Sequence, residues 1–184
     1  MAAPVTNTAT ARAARVRLMI LDVDGVLTDG QLVYGGHGEV LKTFNVRDGH
    51  GIKLLRAAGV EVAILTARMS EIVAVRAREL GIERLVQGAA DKLAAFEQLL
   101  AATSISADHC GYIGDDWPDL PVLARAGFAA TVADAADEVK AIAHWIAPQP
   151  GGHGAVRALA EFIVRAQGRF DELLAQHRAG VAHA

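Results

Sequence analysis

Short apolar runs rich in valine, isoleucine and leucine alternate along this chain with longer stretches in which apolar residues return every three or four positions. The runs have the length of strands buried on both faces, and the stretches have the period of amphipathic helices. Strands are expected at 17–21, 60–65, 85–86, 110–113, 128–132 and 145–146. Helices are expected at 48–58 ahead of Gly59, from a Ser70 cap to residue 80 ahead of Gly81, and at 92–102. Three more are expected at 117–126 with Pro118 in the first turn, at 135–143, and at 155–176. Residues 31–34 and 40–44 flank Gly35-Gly36-His37-Gly38, whose glycines supply the positive φ of a tight turn. That segment, about 29–44, reads as a projecting β-hairpin.

Strand and helix in alternation is the signature of βαβ units. The expected fold is therefore α/β and Rossmann-like, a central parallel sheet flanked by helices, in one domain over 15–176 that ends in a loop and helix at 148–176. Residues 1–14 are rich in alanine and threonine without an apolar core and read as a disordered lead-in, and 177–184 as a disordered tail. Neither 28–45 nor 67–87 is long enough to hold a cap domain over a site.

Composition narrows the class. With 184 residues, 52% hydrophobic and 21% charged, the chain can bury one substantial core. A formal net charge of −3 provides no basic footprint for nucleic acid or an anionic membrane, and 5% aromatic residues provide few stacking surfaces. No run reaches the roughly 20 apolar residues of a membrane helix. One cysteine, Cys110, cannot form an internal disulfide, which fits a reducing cytoplasm.

Four chemical signals each follow an expected strand: Asp22 with Asp24, Thr66 with Arg68, Lys92, and Gly114-Asp115-Asp116 with Asp119 shortly behind. In open parallel sheets such positions converge beyond the carboxyl ends of the strands. Side chains two apart on a strand point the same way, so Asp22 and Asp24 emerge together where Gly25 lets the backbone turn. Adjacent carboxylates repel unless a cation lies between them, and a hard ion such as Mg²⁺ fits oxygen ligands and phosphate. Asp22 is placed to attack phosphorus, and Asp24 to serve as general acid and then base. Asp22, the Asp24 backbone carbonyl and Asp115 are placed to hold the metal. Thr66 and Lys92 are placed to hold the transferring phosphoryl oxygens.

Taken singly, each signal has a plainer explanation. The acid pair could form an Asx turn, Lys92 a solvated helix start, Thr66 a strand end and Asp116 a helix cap. A calcium loop of the EF-hand kind is excluded because its later ligands are absent. Cys110 inside an apolar strand reads as a small buried hydrophobe. The stripe Val156, Leu159, Phe162, Ile163 and Ala166 reads as packing, and the seven histidines show no metal-ligand spacing.

Together, Asp22-Val23-Asp24-Gly25-Val26-Leu27-Thr28, Thr66, Lys92 and Gly114-Asp115-Asp116 resemble the four motifs of haloacid-dehalogenase-type phosphatases. Lys42-Thr43-Phe44-Asn45-Val46-Arg47-Asp48-Gly49, Leu65-Thr66-Ala67-Arg68, Gln87-Gly88, Gly151-Gly152-His153-Gly154-Ala155-Val156-Arg157 and Ala166-Gln167-Gly168 narrow the likeness. They resemble the capless branch that acts on 3-deoxy-D-manno-octulosonate 8-phosphate, from about residue 16 to 174. The resemblance implies a Mg²⁺-dependent homotetramer serving lipopolysaccharide synthesis, with the hairpin mediating assembly and neighbouring subunits closing each site. It implies substrate contacts from Asn45, Val46, Arg47, Asp48, Gly49, Lys53, Arg68 and Arg76, and a tail at 151–157 reaching an adjacent site. Lys53 stands where the family often has arginine, Ala158 where an acid is common, and Trp117-Pro118 is an unusual pair in the fourth motif. The competing expectations are a phosphatase for a nine-carbon acidic sugar 9-phosphate, a non-enzymatic assembly module, and a phosphoryl-transfer mutase.

Overall fold

The computed structural model describes residues 8–180. Six strands form one parallel sheet: β1 (Leu18–Leu21), β4 (Glu61–Leu65), β5 (Arg84–Val86), β6 (Cys110–Ile113), β7 (Phe128–Thr131) and β8 (Trp145–Ile146), in the spatial order β5-β4-β1-β6-β7-β8. The chain builds β1 outward to β5, then returns to lay β6 on the other side of β1, so the direction of winding reverses beside β1. In such sheets the reversal opens a crevice at the carboxyl ends of the strands. β1, β6 and β7 are buried along their whole length, as continuous apolar runs require.

Helices cover the sheet. α2 (Val46–Ala57) packs on α7 (Ala155–Ala166), which also meets α1 (Ala9–Ala13), while α4 (Lys92–Thr103) packs on α5 (Leu120–Arg125) and α5 on α6 (Asp137–Ile142). α3 (Glu71–Glu79) and α8 (Phe170–Arg178) complete the set. Val156, Leu159 and Ile163 on α7 are buried and Phe162 packs beside them, so the expected stripe is core. Cys110 is buried in β6 and burial pushes its thiol up to about 12, the behaviour of a small hydrophobe. Among the described residues no helix is long and apolar enough to cross a membrane.

Several expectations are corrected. Residues 9–13 fold as α1, capped by the Thr8 hydroxyl and anchored by buried Ala13; residues 1–7 of the expected disordered lead-in lie outside the described residues. α2 begins at Val46 because the Asn45 side chain accepts from Arg47 N at 2.8 Å and caps it, which puts Val46 to Asp48 in the first helical turn. Trp117–Asp119 is a 3-10 turn that precedes α5. The expected helix at 155–176 breaks at 167–169, where Gly168 takes a φ of +69°, and α8 then runs on to Arg178. His177 and Arg178 are therefore helical; residues 181–184 of the expected tail lie outside the described residues.

The loop 148–154 docks on its own subunit. Gly152 N donates to Val26 O, Gly151 N to Asp134, and Gly154 N and Arg157 N to the Asp48 carboxylate. A Cβ on Gly151 would lie 1.9 Å from Gly25 O. The expected tail at 151–157 thus packs beneath the turn after β1 in its own subunit.

The hairpin forms as a separate two-stranded antiparallel ribbon, β2 (Val33–Gly35) and β3 (Gly38–Leu41), with Tyr34 opposite Glu39. Its apolar side chains Val33, Tyr34, Val40 and Leu41 are exposed.

Candidate active site

The backbone leaves β1 through Asp22, whose N–H still bonds to Ile113 O at 3.0 Å, so the first carboxylate is set by the sheet itself. The chain then turns about the Val23 carbonyl, which accepts from the N–H groups of Val26, Leu27 and Thr28. Gly25 is required twice over in this turn. Its φ is +84°, and a Cβ there would stand 2.1 Å from Asp115 Oδ2. Thr66 follows β4 and bonds to Val86 O, while Asp115 follows β6. Gly114 carries no side chain because Asp119 occupies that space, 2.3 Å from where a Cβ would be.

These ends line one cleft of about 280 Å³, walled by Asp22, Asp24, Gly25, Gly30, Thr66, Ala67, Arg68, Lys92, Asp115, Asp116, Pro118 and Asp119. All four expected signals therefore meet. Lys92 Nζ lies 2.8 Å from Asp22 Oδ2 and 2.6 Å from Asp119 Oδ1. Burial works against its charge, but the two carboxylates outweigh burial and hold the ammonium above the ordinary lysine range. Asp119 has no place in the expected catalytic set, yet it organises the floor. It accepts from Tyr112 Oη at 2.5 Å, from Lys92, and from the N–H of Asp115 at 3.0 Å and of Asp116 at 3.3 Å. The sequence did carry a signal for it: an acid one helical turn past Asp115, behind a glycine.

Oxygens of Asp22, Asp115 and Asp119 lie within 4.8 Å of one another. Burial and the neighbouring Asp119 carboxylate push Asp22 up to about 7, with Lys92 opposing, and burial with the Asp22 and Asp119 charges pushes Asp115 to about 7. Asp22 Oδ1 is buried without a hydrogen-bond partner. Clustered carboxylates are the donor set of a hard divalent cation, and such an ion would relieve the repulsion that raises both groups.

Asp24 points differently. Its carboxylate pairs with the Lys42 ammonium, and Arg68 Nε lies 3.6 Å from its other oxygen. Both Lys42 and Glu39 come from the hairpin segment, which is tied to Asp24, Arg68 and Ser70 at the edge of the cleft, and sequence reasoning assigned neither. A lysine and a glutamate on an otherwise apolar ribbon give no local sign of what they face.

The remaining expected substrate residues lie elsewhere in this chain. Asn45, Asp48, Gly49 and Arg76 line a separate small pocket with Phe44, where the Arg76 guanidinium lies 5.8 Å from the Phe44 ring centre. A Cβ on Gly49 would meet Arg76 at 2.4 Å, so that glycine makes room for the arginine. Val46, Arg47 and Lys53 are exposed along α2.

A parallel sheet with carboxylate, hydroxyl and ammonium groups at its winding reversal is the architecture of a Rossmann-like hydrolase. Residues 73–159 match the family model described as haloacid dehalogenase-like hydrolase. The 3-deoxy-D-manno-octulosonate 8-phosphate phosphatase of Yersinia pestis is 44% identical over 168 residues, 91% of this chain and 90% of its own. That of Escherichia coli K12 is 43% identical over 173 residues, 94% of this chain and 92% of its own. The crystal structure of the Moraxella catarrhalis phosphatase of the same name, in complex with magnesium ion, phosphate ion and KDO, superposes with a TM-score of 0.90 at 41% identity, covering 94% of this chain and 99% of that one. This chain belongs to the 3-deoxy-D-manno-octulosonate 8-phosphate phosphatase family of haloacid dehalogenase-like hydrolases.

Proposed function

We propose that this protein hydrolyses 3-deoxy-D-manno-octulosonate 8-phosphate to the free sugar acid and inorganic phosphate, with Mg²⁺, in lipopolysaccharide synthesis. The observation that carries the reading is the buried, unpartnered Oδ1 of Asp22 on the floor of a cleft that also presents Asp24, Thr66 and Lys92. A carboxylate oxygen with no donor on it is an available nucleophile.

Asp22 attacks phosphorus, the bond from phosphorus to the C8 oxygen breaks, and Asp24 gives its proton to the departing alkoxide. Asp24 then takes a proton from water as the water oxygen attacks the aspartyl-phosphate. The bond to Asp22 breaks and inorganic phosphate leaves. Thr66 and Lys92 hold the phosphoryl oxygens while charge spreads over them. Asp22, Asp115 and the Asp24 carbonyl would hold Mg²⁺, which masks the charge that otherwise repels phosphate.

Arg68 is the substrate contact supplied within this cleft. Asn45, Val46, Arg47, Lys53 and Arg76 lie along α2 and α3, away from it, and we assign them to the sugar acid in the cleft of a neighbouring copy. Asp48, buried with its carboxylate on Gly154 N and Arg157 N, and Gly49, whose space Arg76 fills, hold that face in shape instead of touching the sugar. That arrangement needs a neighbouring copy, which fits the homotetramer with intersubunit sites that the resemblance implies, each site built on one catalytic domain over 15–176. Its single free thiol suits the reducing cytoplasm of a bacterium.

The test is phosphate release with Mg²⁺ across a panel of acidic and neutral sugar phosphates, with an EDTA control. The expected result is a strong preference for the octulosonate 8-phosphate over the nine-carbon 9-phosphate. Even activity across the panel overturns the substrate assignment, and no activity on any of them overturns the enzyme reading.

A further inference from the structure

The ion pairs that tie the hairpin to the cleft take no part in the steps above. Lys42 follows β3 directly, and its side chain is 1% exposed. Its ammonium donates to Asp24 Oδ1 and lies 2.9 Å from Glu39 Oε1. Glu39 accepts from the Ser70 hydroxyl at 2.6 Å, which moors it to the residue before α3. An ammonium is buried at heavy cost unless it is paired, so an arrangement of this kind persists only where both carboxylates are held in place.

The two oxygens of Asp24 are consequently unlike. Oδ1 faces a buried, tethered ammonium, whereas Oδ2 faces Arg68 at 3.6 Å, a side chain 36% exposed that a substrate can draw away. One oxygen is fixed and the other is free to work. A general acid misplaced by about 1 Å loses about 100-fold in rate.

We infer that Lys42 is a positioning residue for Asp24, gripping Oδ1 so that Oδ2 is the oxygen presented to the leaving group, with Glu39 and Ser70 holding Lys42 in turn. The inference rests on the assignment of Asp24 as general acid. It also makes the hairpin part of the catalytic apparatus, since the residue that aims Asp24 arrives on it.

Leaving groups separate this role from a structural one. An alkoxide needs the Asp24 proton as it departs, whereas p-nitrophenolate leaves without one. In Lys42→Met, first-turnover release from octulosonate 8-phosphate should slow by roughly 30- to 100-fold. The first-turnover burst of p-nitrophenolate from p-nitrophenyl phosphate should stay within about threefold of wild type under the same principle. Lys42→Arg, which keeps a charged donor, should recover the sugar-phosphate rate to within about fivefold. Equal slowing on both substrates, or slowing on neither, overturns the inference. If the methionine variant does not fold, Lys42→Gln is read by the same two-substrate ratio. Failure of the functional reading looks different, because the wild-type protein itself then releases no phosphate from the sugar substrate.

Discussion

At the carboxyl ends of β1 and β6, ionisable side chains are buried and crowded together, whereas on the β2–β3 ribbon the apolar side chains are exposed and the first buried one after it is a lysine. The cleft is built by the sheet. Asp22, Thr66 and Asp115 come off strands whose register is locked by parallel ladders, and Gly25 and Gly114 vacate the space the carboxylates fill. The ribbon has no such frame. It is two short strands, a kind of element that is marginal alone, and it is held to the body by the Lys42, Glu39 and Arg68 ion pairs. Chemistry resides where the backbone is over-determined, while adjustment resides where a few side chains do the docking.

The largest break in that comparison is at the nucleophile. Asp22→Asn removes the attacking charge without changing shape, and turnover should fall by about 10⁴-fold or more while the melting temperature moves by only a few degrees. Retained turnover, measured as phosphate release, would sink the mechanism. Next is Gly25→Ala, which places a Cβ 2.1 Å from Asp115 and strains a φ of +84°. A loss of roughly 100-fold in kcat is expected, with a higher Mg²⁺ requirement, because Asp115 must move. A magnesium titration of activity reads both.

Metal and pH sharpen the contrast further. Asp22 and Asp115 sit at about 7 instead of the ordinary 3.8. A carboxyl raised on folding favours the protonated folded state, so its stabilising effect is complete below pH about 4 and is lost as pH rises toward about 7. Metal-free protein should therefore lose stability across that window. Mg²⁺ at about 100 times its Kd should restore about 2.7 kcal/mol at pH 8 and much less at pH 5. Melts with and without EDTA at the two pH values give the answer, and equal metal effects at both would contradict it.

The smallest effect on stability belongs to the ribbon. Tyr34→Glu or Leu41→Glu alters a side chain that is 57% or 51% exposed, and the intrinsic stability should change by no more than about 0.5 kcal/mol. If the ribbon is the assembly surface, the same variants should shift sedimentation toward smaller species. An unchanged sedimentation profile would free the ribbon of that role.

Much of this was legible in the chain. Six short apolar runs announced the sheet, and a carboxylate or hydroxyl placed within two residues of the end of β1, β4 and β6 announced the cleft, because parallel ladders carry local order straight into space. Asp119 was visible but unassigned, since its role depends on the volume that Gly114 leaves open and on Tyr112 from the interior of β6. Lys42 and Glu39 were not legible as partners of Asp24, because 18 residues and a ribbon turn separate the lysine from the acid it grips. The break between α7 and α8 was missed because an amphipathic period continues across Gly168 while the backbone does not.

The parallel α/β frame, the order of its chemical signals and the acid pair at its centre follow from short-range periodicity and from residues close to strand ends, and so could be read along the chain. Long-range contacts were needed to fix which oxygen of each acid is free, which glycines are spaces for carboxylates, that the loop at 148–154 packs beneath the first turn, and that a hairpin lysine holds Asp24. Those are contacts between segments far apart in the chain. They are set by packing, by the cost of burying an unpaired charge and by the exclusion of one atom by another, none of which has a period that can be read along a line.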